Sequence, residues 1–142
     1  MKILIVKPSA LGDIINGLMV AQSLHDQCPG AEISWIAQDR HAPVVQGCPI
    51  IKQTYIFRRH DRLHGFIDVV KELRREEFDV AMDFHGMGRS VNMLLAARSR
   101  RMMPSAIAML VIVAPETPSM CICSGVRPAT SSHAFPFHVF RK

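Results

Sequence analysis

Three short stretches of this 142-residue sequence carry the residue types that bind anions or move protons. The first, Lys7 to Asp13, contains a small hydroxyl at Ser9, a glycine at Gly12 that permits close approach, and a carboxylate beside an apolar-periodic segment. A carboxylate at the mouth of a cleft can accept a proton from an incoming hydroxyl as a general base. The same position also suits an N-cap or first-turn acid of a helix. On the residues alone, Asp13 is either a general base or a structural acid at the start of the helix, and the two roles are compatible. Capping the helix or interacting with its dipole would lower the pKa of Asp13 and weaken it as a base.

The second stretch is a basic turn that reads RRHDR. It places Arg58, Arg59, His60 and Arg62 around a single acid. Guanidinium groups grip phosphate or carboxylate groups in a bidentate manner, so this turn is a candidate anion site. A solvated basic turn with no ligand is the alternative.

The third stretch, DFHGMGRS, has two glycines, a histidine and an arginine where a strand should turn into a helix. Backbone N–H groups in such a turn can face a ligand. We therefore expect His85, Gly86 and Arg89 to line a binding site, although a lone histidine is more often a structural hydrogen-bonding group. Asp83 falls inside the strand, and we expect it to be structural.

The elements that must position these stretches alternate between apolar runs and amphipathic segments. The patterns predict strands over Lys2–Lys7, Glu32–Ala37, Ile51–Phe57 and Phe78–Phe84, and helices over Asp13–Gln27, His41–Gln46 and Leu63–Arg75. Alternation of this kind predicts an α/β fold, a Rossmann-like doubly wound parallel sheet with strand order 3-2-1-4. Ligands of such sheets bind beyond the carboxyl ends of the strands, here between the first and the fourth strand. All three stretches follow strands at that edge.

Several classes of protein are disfavoured by what the sequence lacks. The first turn has neither the G-x-G-x-x-G pattern of dinucleotide-binding folds nor a Walker motif, which argues against a dehydrogenase or a P-loop NTPase. The net charge of +5 suits an acidic partner. A nucleic acid is disfavoured as that partner because the one tryptophan and the one tyrosine fall in predicted strands, not on a stacking surface. The four cysteines are poorly spaced for a metal site, so no metal is expected.

The location of the protein is expected to be cytoplasmic. The longest uncharged apolar run, Ala106 to Ala114, is far shorter than the roughly 20 residues of a membrane-spanning helix. The N-terminal apolar run is broken by Lys7 and Pro8, and no small-residue cleavage site follows, which argues against a signal peptide.

The composition and the periodicity of the sequence change after Arg101. Residues 1–101 are expected to form the folded α/β domain, whereas residues 102–142 contain only four charged residues and five of the nine prolines. No helical or strand period is present in this second part. It is either a loop-rich extension or a stretch translated out of frame, and we favour the second interpretation, with the break at Met102-Met103-Pro104.

The segment KILIVKPSALGDIINGLMVAQSL, followed by PGAEISWIAQDRHAPVVQGCPIIKQTYIF and FDVAMDFHGMGRS, resembles the N-terminal domain of the bacterial heptosyltransferases of glycosyltransferase family 9. The resemblance covers roughly residues 1–100. It implies half of a GT-B fold, in which this domain receives the lipopolysaccharide inner-core acceptor and a second domain binds ADP-heptose. The implied reaction inverts the anomeric centre and uses no metal or other cofactor.

The resemblance also implies roles for individual residues. Asp13 matches the proposed general base of the family, Lys7 and Ser9 match positions that line the acceptor side, and the arginines of the basic turn resemble an acceptor-phosphate region. His85 stands where the family commonly has glutamine, and Ser9-Ala10 replaces a common Ser-Ser pair.

Family members continue for about as many residues again into the donor domain. We therefore expect the 142-residue chain to be inactive by itself. Peripheral contact with the cytoplasmic face of the inner membrane is a further expectation. A small anion-binding or regulatory α/β module without catalytic activity is the alternative function.

Overall fold

The computed structural model describes residues 1–60, 64–86 and 88–103 of the chain. Strands and helices alternate along this part, as the sequence predicts. In chain order they are β1 (Lys2–Val6), α1 (Leu11–Gln27), β2 (Glu32–Gln38), α2 (Ala42–Gln46), β3 (Ile51–Phe57), α3 (His64–Leu73), β4 (Glu77–Asp83), α4 (Gly88–Ala96) and β5 (Arg98–Met103). The predicted tail falls outside the described residues from position 104 onward.

The strands form one parallel sheet with the order β3-β2-β1-β4-β5. The predicted order of the first four strands is confirmed. The fifth strand was not predicted, because its sequence RSRRMM has three arginines and no apolar alternation. It is an exposed edge strand, where charged side chains face water, and it extends two residues beyond Arg101.

Helices cover both faces of the sheet. On one face, Ile3 and Ile5 of β1 pack in a core that includes buried residues of α1 and α2. On the other face, Leu4 and Val6 pack with buried residues of α3 and α4. This burial of a central strand on both sides explains why β1 is a continuous apolar run. The fold is the expected doubly wound α/β arrangement.

A tryptophan links this core to the edge where the loops meet. Trp35 of β2 is fully buried, and a Cβ atom at Gly17 would lie only 2.8 Å from its ring atom Cη2. The glycine therefore lets α1 lie directly over the indole ring. The indole Nε1 donates a hydrogen bond of 3.1 Å to the carbonyl oxygen of Lys7. Within residues 1–60, 64–86 and 88–103, no helix combines the length and apolar character needed to cross a bilayer.

Candidate functional site

The turns after β1 and β4 and the last residue of β2 are joined at the carboxyl edge of the sheet. Val6 lies opposite Asp83 in the pairing of β1 with β4, and the Phe84 amide donates to the Val6 carbonyl at 3.0 Å. On the other side, the Gln38 amide donates to the Pro8 carbonyl at 2.9 Å. These bonds follow from parallel pairing and place the first and third candidate stretches side by side at the predicted switch point.

An ion pair lies at the centre of this edge. The Lys7 Nζ atom is 2.9 Å from Asp13 Oδ2 and also donates a hydrogen bond of 3.0 Å to the carbonyl oxygen of Phe84. The lysine side chain is only 9% exposed, whereas the Asp13 side chain is 59% exposed. A buried ammonium group is stable only when it is paired, and these two contacts pair it. The carboxylate remains accessible to a substrate from solvent.

Asp13 lies in the first turn of α1, two residues after the helix begins. Ala10 is the N-cap residue and supplies no side-chain cap, so the N-cap interpretation of Asp13 is wrong and the first-turn interpretation is right. The hydrogen bond and positive charge of Lys7 lower the pKa of Asp13 below 3.8, and the Ala10 amide and His85 contribute in the same direction against the effect of burial. Asp13 is therefore an anion at neutral pH and can accept a proton.

The turn after β4 is organised by Asp83. This buried carboxylate accepts hydrogen bonds from the His85 amide at 2.8 Å, the Gly86 amide at 3.2 Å and the Ser90 hydroxyl at 2.9 Å. Gly86 has a φ of 67°, a left-handed conformation that favours glycine. The expected structural role of Asp83 agrees with this geometry. The expectation that backbone N–H groups of this turn face a ligand is wrong for His85 and Gly86, because Asp83 occupies both.

The imidazole of His85 lies beside the Lys7–Asp13 pair. Burial, followed by the positive charge of Lys7, lowers the pKa of His85 below 6.5, although Asp83, the Ser9 backbone and Asp13 act in the opposite direction. The lowered pKa favours the neutral form of the ring. The structure thus brings Lys7, Asp13 and His85 together with Ser9. Gly12 is exposed, and a Cβ atom there would meet nothing within 4 Å, so packing within the described residues does not require a glycine at this position.

The basic turn after β3 is split between two depressions. Arg59 and His60 line a cleft of about 570 Å³ together with Gln38, Asp39 and Arg40 from the end of β2. Arg58 instead lines a groove of about 430 Å³ between β3 and α3.

Two of the predicted site residues are not placed in full. Arg62 and the side chain of Arg89 lie outside the described part of the chain. The prediction also missed Gln38 and Arg40, although their position at the carboxyl end of a predicted strand was a signal that could have identified them. Among the described residues, no three histidine, cysteine or acidic side chains form a group that could hold a metal ion.

Comparison with known proteins confirms the resemblance to the heptosyltransferases. The chain is 29% identical over 91 residues to lipopolysaccharide heptosyltransferase 1 of Campylobacter coli. No family model matches the sequence. The match covers 63% of this chain and 27% of the relative, so the chain spans about a quarter of the relative's length.

Solved structures show the same fold. The E. coli heptosyltransferase WaaC with ADP superposes with a TM-score of 0.64 at 18% identity, covering 71% of this chain and 35% of that one. A glycosyltransferase family 9 protein from Veillonella parvula gives a TM-score of 0.66 at 18% identity, covering 75% and 32% of the two chains. E. coli ADP-heptose lipopolysaccharide heptosyltransferase II gives 0.59 at 21% identity, with coverage of 73% and 30%. The described part of this chain therefore has the Rossmann-like fold of about a third of each of these proteins.

Proposed function

We propose that this chain is the acceptor-side half of a heptosyltransferase that transfers heptose from ADP-heptose to the lipopolysaccharide inner core. The observation that carries the proposal is Asp13, an exposed anionic carboxylate held by Lys7 at the switch point of the sheet. It lies in a chain that is 29% identical over 91 residues to a lipopolysaccharide heptosyltransferase. The E. coli structures named above support the same fold, and one of them was solved with ADP.

In the proposed reaction Asp13 acts as the general base. An acceptor hydroxyl attacks the anomeric carbon of the donor heptose from the face opposite the ADP group. The hydroxyl oxygen forms the new glycosidic bond, and its proton passes to the Asp13 carboxylate. The bond between the anomeric carbon and the ADP oxygen breaks, and ADP leaves with the electron pair of that bond. The configuration of the anomeric carbon is inverted. Asp13, with its lowered pKa, is a modest base, so much of the rate must come from orientation of the two substrates.

The acceptor is proposed to lie across the carboxyl edge, with Ser9, Gly12, His85 and Gly86 beside its reacting sugar. The cleft formed by Arg40, Arg59 and His60 would hold anionic groups of the same molecule. Arg58, Arg62 and Arg89 stay predictions for acceptor binding. Since the acceptor carries a lipid, we place the reaction at the cytoplasmic face of the inner membrane.

Binding of the donor is assigned to a second domain opposite this edge. The described residues form one sheet, and the proposed acceptor site occupies its carboxyl edge. Transfer of a group needs the donor held in a fixed geometry opposite the acceptor. We therefore expect the 142-residue chain to transfer no heptose when it is assayed alone.

The proposal is tested by joining this domain to a donor-side domain. Residues 1–103, which include the whole of β5, would be fused to the donor-side domain of a related heptosyltransferase and assayed for transfer from ADP-heptose to heptose-free lipopolysaccharide. We expect transfer by the fusion, and a fall of about 100-fold or more for Asp13→Asn, the scale of losing a general base. The matched control is Asp26→Asn, which changes an exposed acid of the same helix that is hydrogen-bonded to Gln22.

Two results would contradict this account. Transfer by the unfused chain would show that no second domain is needed. A fusion whose Asp13→Asn variant retains the full rate would leave Asp13 with a structural role only.

A further inference from the structure

The sequence resemblance groups Lys7 with the residues that line the acceptor side, but the structure directs its amine inward. Nζ contacts Asp13 Oδ2 at 2.9 Å and the Phe84 carbonyl at 3.0 Å, and the side chain is 9% exposed. The main chain of Lys7 is also fixed, because its carbonyl accepts the hydrogen bond from Trp35. Both ends of the residue are therefore held within the protein.

We propose that Lys7 is a positioning residue, whose ammonium group fixes the Asp13 carboxylate by joining the first turn of α1 to the turn after β4, without contacting the acceptor. The catalytic role of the fixed Asp13 carboxylate rests on the function proposed above. The link itself is a property of this chain and is measurable without any substrate.

The geometry gives Lys7 contacts with two elements of the site. The Lys7 amine forms an ion pair with the Asp13 carboxylate in the first turn of α1. Phe84 immediately follows β4, and its carbonyl is the second acceptor of the same ammonium group. Removing the amine would break the ion pair of Asp13 and leave the Phe84 carbonyl without this donor.

The charges around Asp13 support the same assignment. Lys7 faces the carboxylate from the end of β1, and His85 faces it from the turn after β4. Asp83 in turn faces His85. Burial and Lys7 lower the pKa of His85, and among the described residues Lys7 is the largest cause of the lowered pKa of Asp13. A fixed anion beside an exposed cleft is the form of carboxylate that can accept a proton.

The test is a titration of Asp13 in the 142-residue chain, followed by NMR of its carboxyl carbon. In the unaltered chain we expect a pKa below 3.8. In Lys7→Met, which keeps most of the apolar stem and removes the amine, we expect the larger part of that lowering to be lost and the amide signals of Phe84 and His85 to move. Lys52→Met is the matched control, because it removes a lysine that is 60% exposed and paired with Glu32.

An Asp13 pKa that is the same in Lys7→Met as in the unaltered chain would overturn the proposal. If Lys7→Met fails to fold, a pH titration of the unaltered chain that follows the Lys7 Nζ resonance tests the proposal instead. The Lys7 Nζ resonance should then show a step at the pKa of Asp13, and a resonance without that step would overturn the proposal equally.

Kinetics of the fusion described above separate this proposal from the proposed function. We expect Lys7→Met to lower kcat and to leave the KM for the acceptor nearly unchanged. A raised KM with an unchanged kcat would mean that Lys7 contacts the acceptor, which refutes the positioning role. A fusion that never transfers heptose would refute the proposed function, whereas the titration result would stand.

Discussion

A methyl group added at position 17 tests how α1 is seated above Trp35. The Cβ of Gly17→Ala would lie 2.8 Å from Cη2 and 3.3 Å from Cζ2 of the indole. Carbon atoms prefer separations of about 3.5–4.0 Å, so the ring or the helix must move by about 0.7 Å. The ring is fully buried, and its Nε1 is bonded to Lys7, so it has little room to move. Overpacking of this kind costs about 1–3 kcal/mol.

Gly12→Ala is the matched control for this change. It lies in the same helix, and its Cβ would meet nothing within 4 Å. Glycine to alanine gains about 1 kcal/mol of helix propensity in a helix interior, and less at Gly12, the second residue of the helix, so the difference between the variants gives a lower bound for the clash. We expect Gly17→Ala to be less stable than Gly12→Ala by about 1–3 kcal/mol. Urea unfolding followed by the fluorescence of Trp35, the single tryptophan, measures it. Equal unfolding free energies would refute the packing argument.

Three further changes test other parts of the structure. Asp83→Ala should lower the free energy of unfolding by about 2–3 kcal/mol, because two amides and a hydroxyl lose a charged acceptor; a loss below about 0.5 kcal/mol would contradict its role in the turn. Because the pKa of Asp13 is lowered in the folded state, its stabilising effect is complete above the unfolded pKa and is lost as the pH falls through the folded pKa. Asp13→Asn should therefore flatten the stability profile below about pH 4, and an unchanged acid slope would argue against the ion pair. Burial raises the pKa of Tyr55, the single tyrosine, to about 12, so an ultraviolet titration should show its ionisation there, and a midpoint at 10.0 would mean an exposed ring.

The strand order and the edge at which the candidate residues lie were predictable from the sequence. They depend on the alternation of apolar runs with amphipathic segments, which is a local property of the chain. The apolar run of β1 is buried on both faces, and parallel crossovers then fix where the carboxyl ends meet. Asp13 follows the first strand in any such fold, so its place at that edge needed no structural information.

Other features depend on contacts between residues far apart in the sequence. The direction of the Lys7 amine depends on the Phe84 carbonyl, 77 positions away, and a lysine after a strand is equally compatible with pointing to solvent. The need for glycine at position 17 depends on Trp35 beneath it. β5 escaped prediction because pairing with β4, and not its own hydrophobicity, holds its arginine-rich sequence in the sheet.

The division of the basic turn likewise depends on its neighbours. Gly65 packs against the backbone of Arg58, where a Cβ would lie 2.7 Å from the carbonyl oxygen. Arg58 thus lines the groove beside α3, while Arg59 lines the cleft at the end of β2. Nothing in the sequence of the basic turn indicates that Arg58 and Arg59 line different depressions.

The proposed function requires that this chain binds the acceptor and not the donor. It is tested most directly by titrating the isotopically labelled chain with a deacylated, heptose-free inner-core oligosaccharide and, separately, with ADP-heptose. We predict that the oligosaccharide moves the amide signals of Asp13, Arg59 and His85, and that ADP-heptose moves none of them. Signals at these positions that respond to ADP-heptose but not to the oligosaccharide would contradict the account.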